Sequence, residues 1–244
     1  MNLSQLGAKS VSFDGIRVND YYIVDQIYLE NTPETTDYST KIPGMAGEHY
    51  FGSDLNPRHG SMRLSLNTRE HRWIDAFDAY HRIWEIFDFT SPKRLDFDGK
   101  FHVLAKLQKA SAFEQVGIYA STTLEFTCYD PYLYFRDVEI PLKKSDNEFF
   151  CTSPLPVWPT IEITGASAPL TVVDKQSGNR ILTASSFAST ASVVIDMERG
   201  RVTANGNYVT LSNAQSDFFM IDPGIVNLNL SSGSGVLRYT ERCL

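Results

Sequence analysis

Apolar and polar positions alternate with a period of two along most of the chain. Met62, Leu64 and Leu66 alternate with Arg63, Ser65 and Asn67. Leu124, Phe126 and Cys128 alternate with Thr123, Glu125 and Thr127. That period is the mark of a half-buried strand, because successive side chains leave opposite faces of a sheet. Asp14-Gly15, Asp98-Gly99 and Asn205-Gly206 each separate two β-rich runs. These pairs tolerate the positive φ values of a tight turn, so each predicts a hairpin. Tyr22 to Leu29 is a further strand.

The period changes to that of a helix once. Trp73, Phe77, Tyr80 and Trp84 recur at i, i+4, i+7 and i+11. The spacing predicts a helix over about 68–87, capped by Asn67 and Glu70, lying on a sheet through that aromatic stripe. His71, Asp75, Asp78 and Arg82 occupy the opposite face. Residues 31–59 break all pattern with Asn31-Thr32-Pro33, Pro43-Gly44, Gly47, Gly52 and Asn56-Pro57. They predict a long turn-rich stretch whose bulky anchors are Tyr38, Tyr50 and Phe51. A segment of this kind orders against a partner, which makes these three residues candidate interface positions.

Residues 141–159, with Pro141, a charged run and Pro154, Pro156 and Pro159, predict a linker. Short β runs follow, from Ile161-Glu162-Ile163 through Phe218-Phe219-Met220-Ile221 to Val236–Tyr239, with no helical period. Near-regular short strands predict a β-sandwich. The expected organisation is a β-rich domain with one helix over 1–140, a linker over 141–159 and a sandwich over 160–244. The fold class is mainly β.

Composition sharpens this. Of 22 basic and 29 acidic residues, 6 and 7 lie in residues 151–244, leaving 16 and 22 before them. The net charge of -7 therefore falls almost wholly on the first part. With no Lys/Arg cluster to offset it, this balance argues against gripping nucleic acid. Cys128, Cys151 and Cys243 are too few and too scattered for a disulfide framework or a zinc ribbon, and predict a reducing compartment. Met1 to Ser10 lacks the basic and apolar runs of a signal peptide. No stretch approaches the ~20 apolar residues of a membrane span, so no membrane insertion is expected.

Candidate chemistry is sparse. His71 and His81 are ten positions apart, not at the spacing of a zinc helix. Asp96-Phe97-Asp98-Gly99 opens like a calcium loop, but Lys100 and Phe101 occupy later ligand positions, so the hairpin reading stands. No phosphate loop, nucleophile elbow or placed carboxylate pair occurs. No catalytic residue, metal or cofactor is expected. Trp158 is the one candidate for stacking on a sugar, set between Val157 and Pro159.

The order of motifs resembles a known family. The strand Met62–Leu66 runs straight into the helix. Leu124-Glu125-Phe126-Thr127-Cys128-Tyr129-Asp130-Pro131-Tyr132 closes the first half. Trp158-Pro159-Thr160-Ile161-Glu162-Ile163-Thr164-Gly165 opens the second. Ser216-Asp217-Phe218-Phe219-Met220-Ile221-Asp222-Pro223-Gly224 lies near its end. This pattern is similar to the distal tail protein (Dit) family of long-tailed bacteriophages. One departure is Cys151-Thr152-Ser153-Pro154, where the family often has asparagine-glycine. The resemblance implies a galectin-like C-terminal sandwich hanging outside a hexameric ring of N-terminal domains at the tail tip. It also implies partners: the tail tube protein, the tail-associated hub protein and receptor-binding proteins. DNA would pass through the lumen without specific binding. The protein would be assembled in the bacterial host cytoplasm, reside in the virion and leave by lysis. A second reading is a carbohydrate-binding adhesin module contacting cell-wall sugars.

Overall fold

The computed structural model describes residues 10–66, 76–112, 114–116, 119–184, 187–188, 191–212 and 215–244. The chain divides into two compact units, residues 1–133 and 134–243, each with its own core.

The first unit opens with the hairpin β1 (Val11–Phe13) and β2 (Ile16–Arg17), turned by Asp14 at φ 48° and Gly15 at φ 84°. A 3-10 turn at Val18–Asp20 leads into β3 (Tyr22–Leu29). Next come β4 (Thr35–Thr40), β5 (His49–Leu55) and β6 (Arg58–Leu66), then α1 (Ala76–Ile86). The hairpin β7 (Lys93–Phe97) and β8 (Phe101–Ala110) follows, then β9 (Glu114–Val116) and β10 (Tyr119–Cys128). All pairings are antiparallel. One sheet runs β8-β10-β6-β3. The other pairs β2 with β1, β1 with β7 and β7 with β8. The strand β8 serves both: residues 101–105 pair with β7, and residues 106–110 pair with β10. Phe13, Ile27, Leu64, Ile83, Val103 and Leu124 are fully enclosed in the core.

At the end of the helix, one expected buried aromatic, Trp84, is not buried. Ile83, Ile86 and Phe87 are buried, whereas Trp84 is 51% exposed and packs on Phe89 with ring centroids 4.3 Å apart. Phe87 meets Phe13 across the core at 5.2 Å. Ile83, one residue before Trp84 and so roughly 100° around the helix from it, faces the core in its place. The expected cap at Asn67 and Glu70, together with Trp73, lies outside the described residues. After the helix, Asp88 accepts hydrogen bonds from the Thr90 hydroxyl at 2.5 Å, the Thr90 amide at 2.6 Å and the Ser91 hydroxyl at 2.8 Å. These donors, the Thr90 hydroxyl foremost, hold its carboxyl well below the usual carboxylate range.

The second unit is a β-sandwich. Its strands are β11 (Leu133–Leu142), β12 (Ser145–Cys151), β13 (Thr160–Thr164), β14 (Thr171–Asp174) and β15 (Arg180–Leu182). They continue with β16 (Val193–Asp196), β17 (Arg201–Ala204), β18 (Asn207–Tyr208), β19 (Gly224–Leu230) and β20 (Ser234–Cys243). One sheet runs β18-β17-β16-β13-β20-β11 and the other β12-β19-β14-β15. Ile161, Ile163, Val193 and Ile195 of the first meet Val172, Leu228 and Leu230 of the second in one core.

Two expectations need correction. The 141–159 stretch is not a linker: its first part is the end of β11, and Ser145–Cys151 is a full strand paired with β19. Pro141 is compatible with the end of β11, and Ser145 takes φ 112°, so the Pro and charge signals mark a tight turn that carries the chain from β11 in one sheet to β12 in the other. Phe218–Ile221 is not a strand either. A single bridge joins Val157 to Ile221, and Phe219 and Ile221 enter the core from an irregular segment.

Arg58 is the largest fully buried side chain. Its Nε donates to the Pro131 carbonyl at 3.0 Å, and one terminal nitrogen donates to the carbonyls of Glu30 at 2.7 Å and Asn31 at 3.0 Å. Arg58→Met removes these bonds and leaves three carbonyls short of the donor that ties them together. Urea denaturation is expected to show a loss of about 2–4 kcal/mol with an unchanged slope.

Candidate functional site

Residues 31–59 are not a loop. They fold into an arm, the two-stranded hairpin β4–β5, which makes a sheet of its own. Thr35, Thr36, Tyr38, Thr40, Tyr50 and Phe51 are strand formers, but both faces of the hairpin are polar. With no buried face there is no alternation to read, which is why the pattern pointed to a loop. Every residue of β4, and all of β5 but Gly52, is exposed.

The arm is held by its own side chains. Tyr38 donates to Asp54 at 3.0 Å, Ser39 to Glu48 at 2.5 Å, and Tyr50 to Ser53 at 2.9 Å. The Tyr38 phenol is pushed up by its bond to the Asp54 carboxylate. At the root, Asn56 N–H donates to the Glu34 carbonyl at 2.8 Å and Thr36 donates to the Asn56 side chain at 2.9 Å. Arg58 then fastens the chain on both sides of the arm.

The three candidate interface residues lie on this arm. Tyr38 is 49%, Tyr50 58% and Phe51 65% exposed. The register explains Phe51. Tyr38 pairs with Gly52 and Ser39 with Tyr50, so Phe51 is the extra residue of a β-bulge. Gly52, at φ 143°, supplies the backbone that the bulge needs. Phe51 is thereby turned to solvent with only His49 against its ring, at 4.8 Å. Ile42 and Met45 in the connecting turn are exposed as well. An apolar set displayed on a preformed hairpin is suited to a partner rather than to chemistry.

The other candidates stand apart. Trp158 is half-buried against the core of the second unit. Arg82 lies over the Tyr21 ring at 6.0 Å; the side chains of His71, Asp75 and Asp78 lie outside the described residues. Asp96 spends its carboxylate on Gly99 N–H and Arg94, both at 2.8 Å, which makes it a turn residue. Among the described residues, no group of three or more His, Cys, Asp and Glu is placed to hold a metal. Burial pushes the Cys128 thiol up to about 12, with the nearby Arg58 charge working against it, and burial raises Cys151.

Residues 152–242 match the family model for the siphovirus-type tail component, C-terminal domain. The second unit is similar to that tail-component domain along this span. The likeness to solved structures extends across both units. The crystal structure of SPP1 Dit (gp 19.1), described as a paradigm of the hub adsorption apparatus in phages infecting Gram-positive bacteria, superposes with a TM-score of 0.78. It is 16% identical and covers 96% of this chain and 99% of its own. The phage P2 baseplate in its calcium-activated conformation matches at TM-score 0.56 and 9% identity, over 89% of this chain and 90% of its own. The strontium form of the p2 baseplate matches at 0.52 and 10% over the same shares. No curated protein sequence matches. The resemblance to the Dit family is borne out: the chain has the fold of SPP1 Dit, and its second unit is similar to the siphovirus-type tail-component domain.

The thiols give a direct check on the burial pattern. Native protein is expected to react with Ellman's reagent at Cys243 alone, and denatured protein at all three cysteines.

Proposed function

We propose that the protein is a structural hub of a phage tail tip or baseplate and carries out no catalysis. It assembles as a hexameric ring that joins the tail tube to the tail-associated hub protein and offers its tail-component domain to receptor-binding proteins. It resides in the virion after assembly in the host cytoplasm. The observation that carries this reading is the exposed, prefolded arm on a chain whose fold matches SPP1 Dit over 96% of its length. An isolated hairpin is at best marginally stable in water. Holding one rigid, with Phe51 bulged outward, prepares a contact and lowers the ordering cost of making it.

A ring needs a heterologous contact, in which a projecting element of one copy meets a different surface of the next. The arm is such an element. The acidic balance of the first part is compatible with a conduit, since like charge repels the DNA backbone instead of retaining it.

Size-exclusion chromatography with light scattering tests this. A particle of roughly six times 27.5 kDa with a central hole in negative stain is the expected result, with the tail tube protein added if closure requires it. Deleting residues 34–55 should leave a folded monomer, and Phe51→Ser should weaken assembly at least about tenfold while changing monomer stability by less than about 0.5 kcal/mol. Intact rings after the deletion would overturn the role given to the arm.

A further inference from the structure

A cup of about 410 Å³ opens on the solvent face of the first unit's β8-β10-β6-β3 sheet. That volume lies within the usual range of small-molecule sites, about 300–1,000 Å³. Its floor is low because Ser61 is small; Gly60 beside it faces the core, where a Cβ would fall 2.4 Å from the buried Phe126 ring. Tyr28, opposite Ser61 in the ladder and 49% exposed, forms one wall.

The opposite wall is made by a second β-bulge. Between β8 and β10 the register passes from Glu125↔Lys109 to Phe126↔Leu107, which leaves Gln108 as the extra residue on the face. Bulges re-aim side chains in this way. The Gln108 amide is steadied by donating to the Tyr129 hydroxyl at 3.2 Å, and His59 Nδ1 is 3.1 Å from the Thr127 hydroxyl. The Ser61 hydroxyl and the Glu125 carboxylate have no side-chain partner among the described residues. Lys109 lies across from Glu125 without forming an ion pair with it.

The chemistry of the cup selects its ligand. Glu125 disfavours an anion, and Lys106 and Lys109 on the adjoining strand disfavour a cation. What remains is one aromatic ring beside an amide, an imidazole, two hydroxyls and a carboxylate. A neutral pyranose presents a matching surface, with a C–H face for the ring and hydroxyls that both donate and accept. We propose that this cup is a binding site for a neutral saccharide. It lies away from Trp158, the residue singled out in the sequence, and does not depend on whether the protein forms rings.

Saturation-transfer-difference NMR on the full-length protein tests the proposal, with the methyl glycosides of glucose, galactose, mannose, rhamnose and N-acetylglucosamine as probes. At least one is expected to receive saturation. Glu125→Gln should weaken that binding about tenfold, since it removes a charge-assisted acceptor. Tyr28→Ala should abolish it, as should Ser61→Leu, which fills the floor. Trp158→Ala should leave it unchanged. Silence from every glycoside, or wild-type binding by both Tyr28→Ala and Ser61→Leu, overturns the assignment. Loss in Trp158→Ala alone also overturns it and moves sugar binding to the second unit.

Discussion

A buried guanidinium organises the first unit. Arg58 begins β6 immediately after the arm, and it binds the carbonyls of Glu30 and Asn31, immediately before the arm. The same side chain holds Pro131, three residues beyond β10. Removing a charge from water is costly unless its donors are satisfied, so the arrangement persists only while these carbonyls remain in place. The planar, multi-donor fork of arginine can bridge several chain segments at once, which a lysine ammonium does less rigidly. A two-stranded hairpin with no core behind it can thus emerge from the sheet in one orientation. The contact role proposed for the arm rests on this anchorage more than on the arm's own pairing.

Strands with one buried face were legible in the sequence, because alternation reports which face is dry. Tyr22–Leu29 and the alternations at Met62–Leu66 and Leu124–Cys128 appear where the pattern puts them. The Asp-Gly and Asn-Gly turns do too, because few residue pairs accept two consecutive positive φ values. The arm was not legible for the converse reason: neither of its faces is buried, so β-propensity stood without a period to support it. Tyr38, Tyr50 and Phe51 were nonetheless visible as the bulky residues of a polar stretch.

Other signals misled for identifiable reasons. The helical spacing put Trp84 on the buried side, but Ile83, Ile86 and Phe87 fill the core there, and Trp84 rests partly exposed on Phe89. The prolines around 141–159 suggested a tether, yet proline can stand at sheet edges, and β11 and β12, strands of opposite sheets joined by a short turn, run through that region. The cup between Tyr28 and Gln108 left no trace in the sequence, since a bulge is a property of two strands read together.

The bulge at Phe51 constrains how this protein can diverge. Length changes in the turn between Thr40 and His49 leave both strands of the arm in register, so that turn is free to grow or shrink. Within β5 the parity of the strand matters. Losing a single residue there would restore regular pairing and, at the same stroke, exchange the faces of the positions beyond it. Arms of related proteins should accordingly vary in the length of their tips while keeping the count of residues between the tip and the Arg58 anchor, which holds the outward face of Phe51 constant.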